Sequence, residues 1–258
     1  MLARLIFAGA TLTMLSPRPA AAQSIIRDSI PGTLVSFELV QIDAVPVAAN
    51  DETARRLYVG RTEVTWDMYD VFMHRLDTAR SKSAADAMAR PSQPYAVPDY
   101  EWGHSGYAAI SITYHAARAF TEWLSAKTGH RYRLPTEFEW EYIAQRAAGG
   151  QGQLPPERID AVAWHARNSS RQAHGIASKK PDALGLHDFF GNVAEWVQST
   201  PPELVTRGGS FRDDPATLGL RSRAVQNGAW TERDPHLPTS TWWLTDGPFV
   251  GFRIVRDP

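Results

Sequence analysis

The alternation of apolar and polar positions over residues 33–47, TLVSFELVQIDAVPV, predicts a strand or hairpin, and Leu57–Gly60 a second short strand. The period then changes. Thr65 is placed as an N-cap, and Tyr69, Phe72, Met73 and Leu76 follow at i, i+3, i+4 and i+7, the spacing of one helical face. From Asp77 to Pro98 the pattern turns polar and ends in prolines, which reads as a surface excursion. A clearer helix starts at the cap Thr113. Ala116, Phe120, Trp123 and Leu124 form its apolar stripe, and Gly129 sits where a C′ glycine belongs. A third begins at Thr136. Thr136 and Glu139 make a capping box, and Trp140, Ile143, Ala144 and Ala147 make its buried face. After Gly149 helical periodicity stops, and short apolar pieces at 193–197, 204–206 and 249–255 predict strands set among long ordered loops. No repeat or linker interrupts the chain. The expectation is one α+β domain over residues 23–258, with helices early and loops and strands late.

Residues 1–22 stand apart from this pattern. Met1–Arg4 carries a positive charge, Leu5–Leu15 is an apolar run too short to span a bilayer, and Ala20–Ala22 forms a small-residue cleavage site. This predicts a signal peptide and a periplasmic or secreted protein that is not inserted in the membrane once the signal is removed; the alternative is a buried N-terminal helix. With a net charge of −1, no basic face is implied and nucleic acid is a poor partner. The nine tryptophans suit core filling or the lining of a groove. The absence of cysteine changes the chemistry more: thiol nucleophiles, thiolate metal sites and disulfides are all excluded.

Two stretches carry candidate chemistry. In GLHDFFGNVAEWV, residues 185–197, a tight Gly-Asn turn would aim the carboxylates of Asp188 and Glu195 and the carbonyls of Gly191 and Val193 at one point. That is a set of hard oxygen donors suited to calcium. The alternative is that Asp188 caps a turn and Glu195 pairs with a buried arginine such as Arg207 or Arg253. In RGGSFRDDPATLGLRSR, residues 207–223, a double glycine precedes a polar cluster without cysteine, histidine or tyrosine.

These stretches, with EVTWDMYDVF at 63–72, ISITYHAARAFTEWL at 110–124, RLPTEFEWEY at 133–142 and GFRIVR at 251–256, occur in an order that resembles the formylglycine-generating enzyme, or sulfatase-modifying factor, family. The resemblance runs from about residue 33 to 256. It implies a single irregular α+β fold, a distant variant of the C-type lectin fold. It also implies structural calcium held at Asp188, Gly191, Val193 and Glu195; a second family site resembles Asn168 and Ser169, with its remaining ligands on a loop that is shortened here, and it is left open. Active members oxidise a sulfatase cysteine with two copper-binding cysteines. Those positions here are Asp213 and Leu218, so no copper and no formylglycine formation are expected.

What remains is a cleft without thiols. One expectation is a binding or accessory protein, a pseudoenzyme that takes a peptide or glycan on Ser210, Arg212, Asp213, Trp242, Trp243 and Asp246. Another is a thiol-free oxidoreductase, as in family relatives that use nonhaem iron or mature a periplasmic siderophore. His104, His115, His165, His174 and His187 show no close ligand spacing for iron, while Asp213 and Asp214 offer carboxylates as bases. A third is a structural part of an envelope assembly.

Overall fold

The computed structural model describes residues 23–46, 53–77, 84–94, 96, 98–150 and 154–258. The signal peptide expected at 1–22 lies outside them. Two antiparallel strands open the chain, β1 (Ile25–Ser29) and β2 (Ser36–Pro46), and β3 (Ala54–Gly60) pairs with the other edge of β2. Helix α1 (Trp66–Met73) follows, then α2 (Tyr114–Thr128), β4 (Tyr132–Arg133), α3 (Glu137–Ala147) and α4 (Pro156–Val162). The late strands are β5 (Ala194–Trp196), β6 (Val205–Arg207), β7 (Arg223–Val225), β8 (Val250–Gly251) and β9 (Val255–Arg256).

They form two sheets. The larger has the order β1-β2-β3-β9-β4, so the last strand of the chain is inserted between β3 and β4; the smaller has the order β7-β6-β5-β8. This is an α+β architecture, and the period-2 alternation of β2 explains how its sheet is packed on both faces. Leu39 joins the cluster around α1 and α2, with Tyr69, Phe72, Phe120, Trp123 and Phe252. Val40 and Ile42 join the cluster around α3, with Trp140, Phe189 and Phe190. Trp66, Trp123, Trp140 and Trp196 are fully buried, which is the core-filling role. Among the described residues no helix is long and apolar enough to cross a membrane.

The predicted caps form. The Thr65, Thr113 and Thr136 hydroxyls accept from the amides of Met68, Ala116 and Glu139, the Glu139 carboxylate closes its box, and Gly129 is left-handed. Other expectations are corrected. Leu76 lies beyond the end of α1 and is 61% exposed, because the helix stops at His74 before the last position of the apolar face. The excursion from Asp77 is anchored: the buried Arg90 guanidinium donates to the buried Asp77 carboxylate at 2.8 Å, and Lys127 of α2 adds a second bond at 2.8 Å. Helical structure also returns after Gly149, as α4, which is short and starts at a proline.

Candidate functional site

The loop before β5 is wound by left-handed residues. Asp188 and Asn192 have φ of 53° and Gly191 has φ of 81°. Gly191 is required twice over: its φ suits glycine, and a Cβ there would sit 2.3 Å from the Trp164 carbonyl oxygen. The winding takes Asp188 below the surface, where Oδ2 accepts from the Ala177 amide at 2.8 Å and Oδ1 has no partner among the described residues. Val193, with its side chain in the core, leads into β5.

Glu195 realises the ion-pair alternative, with Arg253 as its partner. Arg253 Nε and Nη2 donate to Glu195 Oε1 at 2.9 and 2.7 Å, and the Trp140 indole approaches Oε2 at 3.4 Å. The guanidinium also donates to the carbonyls of Gly60 and His187, at 2.8 and 2.9 Å. Arg207, the other arginine considered, instead bridges Glu137 and Glu141 on α3.

A third carboxylate, Glu63, belongs to this centre. Its Oε1 accepts from Asn192 Nδ2 at 3.0 Å, and Oε2 is buried without a partner. Sequence reasoning missed it. The available signal was slight: an acid two residues before the Thr65 cap, next to the apolar Val64. Three buried carboxylates thus share one buried guanidinium. Burial, and then repulsion by Asp188, pushes the Glu63 carboxyl well above its usual range, and burial pushes Asp188 up to about 6. The unpaired oxygen of Asp188 and the excess of negative charge fit a hard cation. A carboxylate has about four lone-pair sites, so the pairing of Glu195 with Arg253 leaves donor capacity. Among the described residues no three acidic or imidazole side chains are grouped closely enough to hold a metal by themselves. Backbone carbonyls, for which Gly191 and Val193 are the candidates, would have to complete a calcium shell.

The glycine loop leaves β6 through Gly208 and Gly209, both left-handed. A Cβ on Gly209 would meet the Leu218 side chain at 2.4 Å. Leu218 is therefore packed directly beneath the loop and belongs to the α3 core. Asp213 Oδ2 accepts from the amide and hydroxyl of Ser210, at 2.7 and 2.9 Å. Asp214 caps a 3₁₀ turn at Pro215–Thr217, and the hydrogen bonds it accepts from the Ala216 amide and Arg167 hold its carboxyl below the usual range. It is a weak base for that reason. Ser210, Arg212, Asp213, Arg221 and Arg223 line a cleft of about 360 Å³, with Arg212 resting on the Phe249 ring.

The remaining expected contacts lie elsewhere. Trp242 and Trp243 line a separate cavity of about 510 Å³, and Asp246 is bonded to Arg233 and Thr245. The six expected ligand contacts therefore fall in two clefts and one surface ion pair. The histidines are dispersed: His104 bridges Asp70 and Asp99, His115 meets the Trp242 ring, His165 meets Asp160, His174 stacks on Trp164, and His187 meets the Lys179 carbonyl.

Comparison with known proteins matches residues 28–258 to the sulfatase-modifying factor enzyme 1-like domain. The formylglycine-generating enzyme of Streptomyces coelicolor is 30% identical over 108 residues, 36% of this chain and 32% of that enzyme. The chain spans less than half the length of the curated relatives it matches. Among solved structures, Treponema denticola variable protein 1 aligns with a TM-score of 0.63 at 19% identity, covering 90% of this chain and 99% of that one. PvdO from Pseudomonas aeruginosa aligns at 0.59 and 20%, covering 88% and 99%. These likenesses extend to the fold, and the lectin-like variant expected from sequence is consistent with it. The match across nearly all of the described residues establishes that the chain belongs to the sulfatase-modifying factor enzyme 1-like family.

Proposed function

We propose that this protein is an exported binding or accessory member of its family that holds structural calcium and recognises an extended acidic peptide in the glycine-loop cleft. The observation that carries this reading is the chemistry at positions 213 and 218. A carboxylate tied into the Ser210 turn and a core leucine stand where copper oxidation needs two thiolates. With Leu218 in the core, the loop keeps its shape and presents Arg212 and Arg221 to the cleft, while Arg223, at its edge on β7, is paired with Glu137 and Glu203. Arginines on a fixed loop suit the carboxylates of a peptide ligand. Export is supported by the Met1–Ala22 pattern, and calcium by the unpaired oxygen of Asp188 within an excess of buried carboxylate.

Titration calorimetry with an acidic decapeptide, its lysine counterpart and an acidic oligosaccharide tests the binding reading. Saturable binding of the acidic peptide is expected, weakened by salt and by Arg221→Ala. Equal or tighter binding of the lysine peptide, or binding of the oligosaccharide alone, overturns it. Incubation with a cysteine-containing sulfatase peptide, copper and oxygen is expected to yield no aldehyde.

A further inference from the structure

Asn192 lies between Gly191 and Val193, the two candidate carbonyl donors, and is fully buried. Every polar group it has is used. Its backbone N–H donates to the Trp164 carbonyl at 2.9 Å, and its carbonyl accepts from the Phe211 amide at 2.8 Å. Its side-chain Oδ1 accepts from the His174 amide at 2.9 Å. Nδ2 donates to Glu63 Oε1 at 3.0 Å and to the His174 carbonyl at 3.3 Å. These bonds run in three directions. Glu63 belongs to the carboxylate centre, Phe211 to the glycine loop, and Trp164 and His174 to the segment between α4 and β5. The left-handed backbone that aims them, with φ of 53°, is one that asparagine tolerates better than most residues.

Two branches lead from this residue to the glycine-loop cleft. The first is direct. Gly191 N–H donates to the Gly208 carbonyl at 3.1 Å and Phe211 N–H to the Asn192 carbonyl, so the two bonds bracket Gly209 and Ser210, and the Ser210 amide and hydroxyl hold Asp213. The second runs through His174. Its Nε2–H donates to the Ser169 carbonyl at 2.8 Å, and Ser169 Oγ donates to the Phe211 carbonyl at 2.9 Å. Phe211 is thus held at its N–H by one branch and at its carbonyl by the other. It is buried, while its chain neighbours Ser210 and Arg212 line the cleft. The Phe249 ring beneath Arg212 is tied to the same loop, because Ala194 N–H donates to the Phe249 carbonyl at 2.8 Å.

In a trans peptide the carbonyl and the N–H point in opposite directions. The Gly191 carbonyl shares its peptide with the Asn192 N–H, so a positive charge on that carbonyl polarises the group that holds Trp164. The same charge draws on Glu63, whose Oε1 holds the Asn192 amide. Hydrogen bonds in a chain strengthen one another, and the branches carry this effect to Phe211. We infer that Asn192 is a positioning residue that couples the two sites: calcium at the carboxylate centre and an acidic peptide in the glycine-loop cleft each tighten the other's binding, because both favour one arrangement of Asn192, Phe211 and Arg212. The coupling rests on the calcium and acidic-peptide reading and adds the regulation of that cleft.

Calorimetry on the full chain measures the acidic decapeptide against calcium-free and calcium-saturated protein, and calcium chloride against peptide-free and peptide-saturated protein. Each is expected to bind about tenfold more tightly in the presence of the other, the two factors being equal by linkage. Amide hydrogen exchange gives a readout that needs no peptide: calcium alone is expected to slow exchange of the Phe211 amide. Two variants locate the coupling. Asn192→Gly keeps the left-handed backbone and deletes the side chain. Ser169→Ala removes one hydroxyl, the bond to the Phe211 carbonyl. Both are expected to bind calcium, with the tenfold factor falling towards one in Asn192→Gly and to an intermediate value in Ser169→Ala. Near-ultraviolet circular dichroism checks that the variants are folded, and Ser169→Ala serves alone if Asn192→Gly is not. A factor of one in the unmodified protein overturns the coupling and leaves both sites standing. A factor unchanged in the folded variants assigns it to charge alone and overturns the role of Asn192. Absence of calcium binding, or of peptide binding, overturns the coupling together with the reading it rests on.

Discussion

Asp182 shows how a single buried carboxyl ties stability to pH. Its Oδ1 accepts from the amides of Leu184 and Leu186, and Oδ2 is buried without a partner. Burial pushes its carboxyl up to about 6, against the pull of those amides. Its ordinary value is 3.8, so between about pH 4 and 6 the folded chain binds the proton that the unfolded chain has released. This residue's share of stability therefore grows as pH falls through 6 and is complete below 3.8. Asp77 acts in the opposite direction. Burial alone would raise it, but bonds from Arg90 and Lys127 outweigh that and bring it down to about 2, so its contribution is present above 3.8 and lost as pH falls towards 2. In chelator, Asp182→Asn is expected to raise the melting temperature at pH 7, by the equivalent of about 2 kcal/mol, and to shrink the gain in stability on going to pH 5. An unchanged pH 5 to pH 7 difference would mean another group carries it. Asparagine keeps the acceptor for both amides while losing the buried charge. At this scale the sequence was only partly legible. Asp188 and Glu195 stood out through their spacing around the Gly-Asn turn. Glu63 and Arg253 lie far from that turn in sequence, and the choice of Arg253 over Arg207 is made by where β9 and β6 deliver their neighbours.

Elements were legible where local chemistry fixes them. The three threonine caps and Gly129 need only residues within a turn of each other, and they form as the spacing predicts. Thr136→Ala should cost about 1 kcal/mol, read as a lower midpoint in urea with an unchanged slope, because the Glu139 amide loses its acceptor while Glu139 keeps Arg133 and Arg55. A loss below a few tenths would show that those ion pairs hold the helix start without the cap. Elements set by distant partners were not legible. β1 and β7 exist because β2 and β6 offer them an edge, and the anchoring of the excursion by Asp77 and Arg90 depends on Lys127 from α2. The aromatic cavity is another such case. Trp242 and Trp243 read as candidates for a cleft beside Ser210, and the fold instead carries them to α1, because Leu244 and Trp243 pair with residues 111 and 112.

At the scale of the whole molecule, the carboxylate centre joins strands from both sheets: Glu195 lies in β5, its partner Arg253 lies between β8 and β9, and Glu63 follows β3. A cation bound there would stabilise the entire fold by linkage. Protein purified without chelator is expected to contain calcium and to lose at least several degrees of melting temperature in EDTA, recovered by adding calcium but not sodium. Identical melting curves with and without EDTA, on protein free of calcium by elemental analysis, would leave Arg253 as the centre's only counter-charge. A chain made or threaded from its N-terminus presents β1 to β4 first, yet β3 and β4 meet only through Val255 and Arg256. The larger sheet therefore has a gap until almost the last residues of this sequence are available. Contacts this distant in sequence make closure slow.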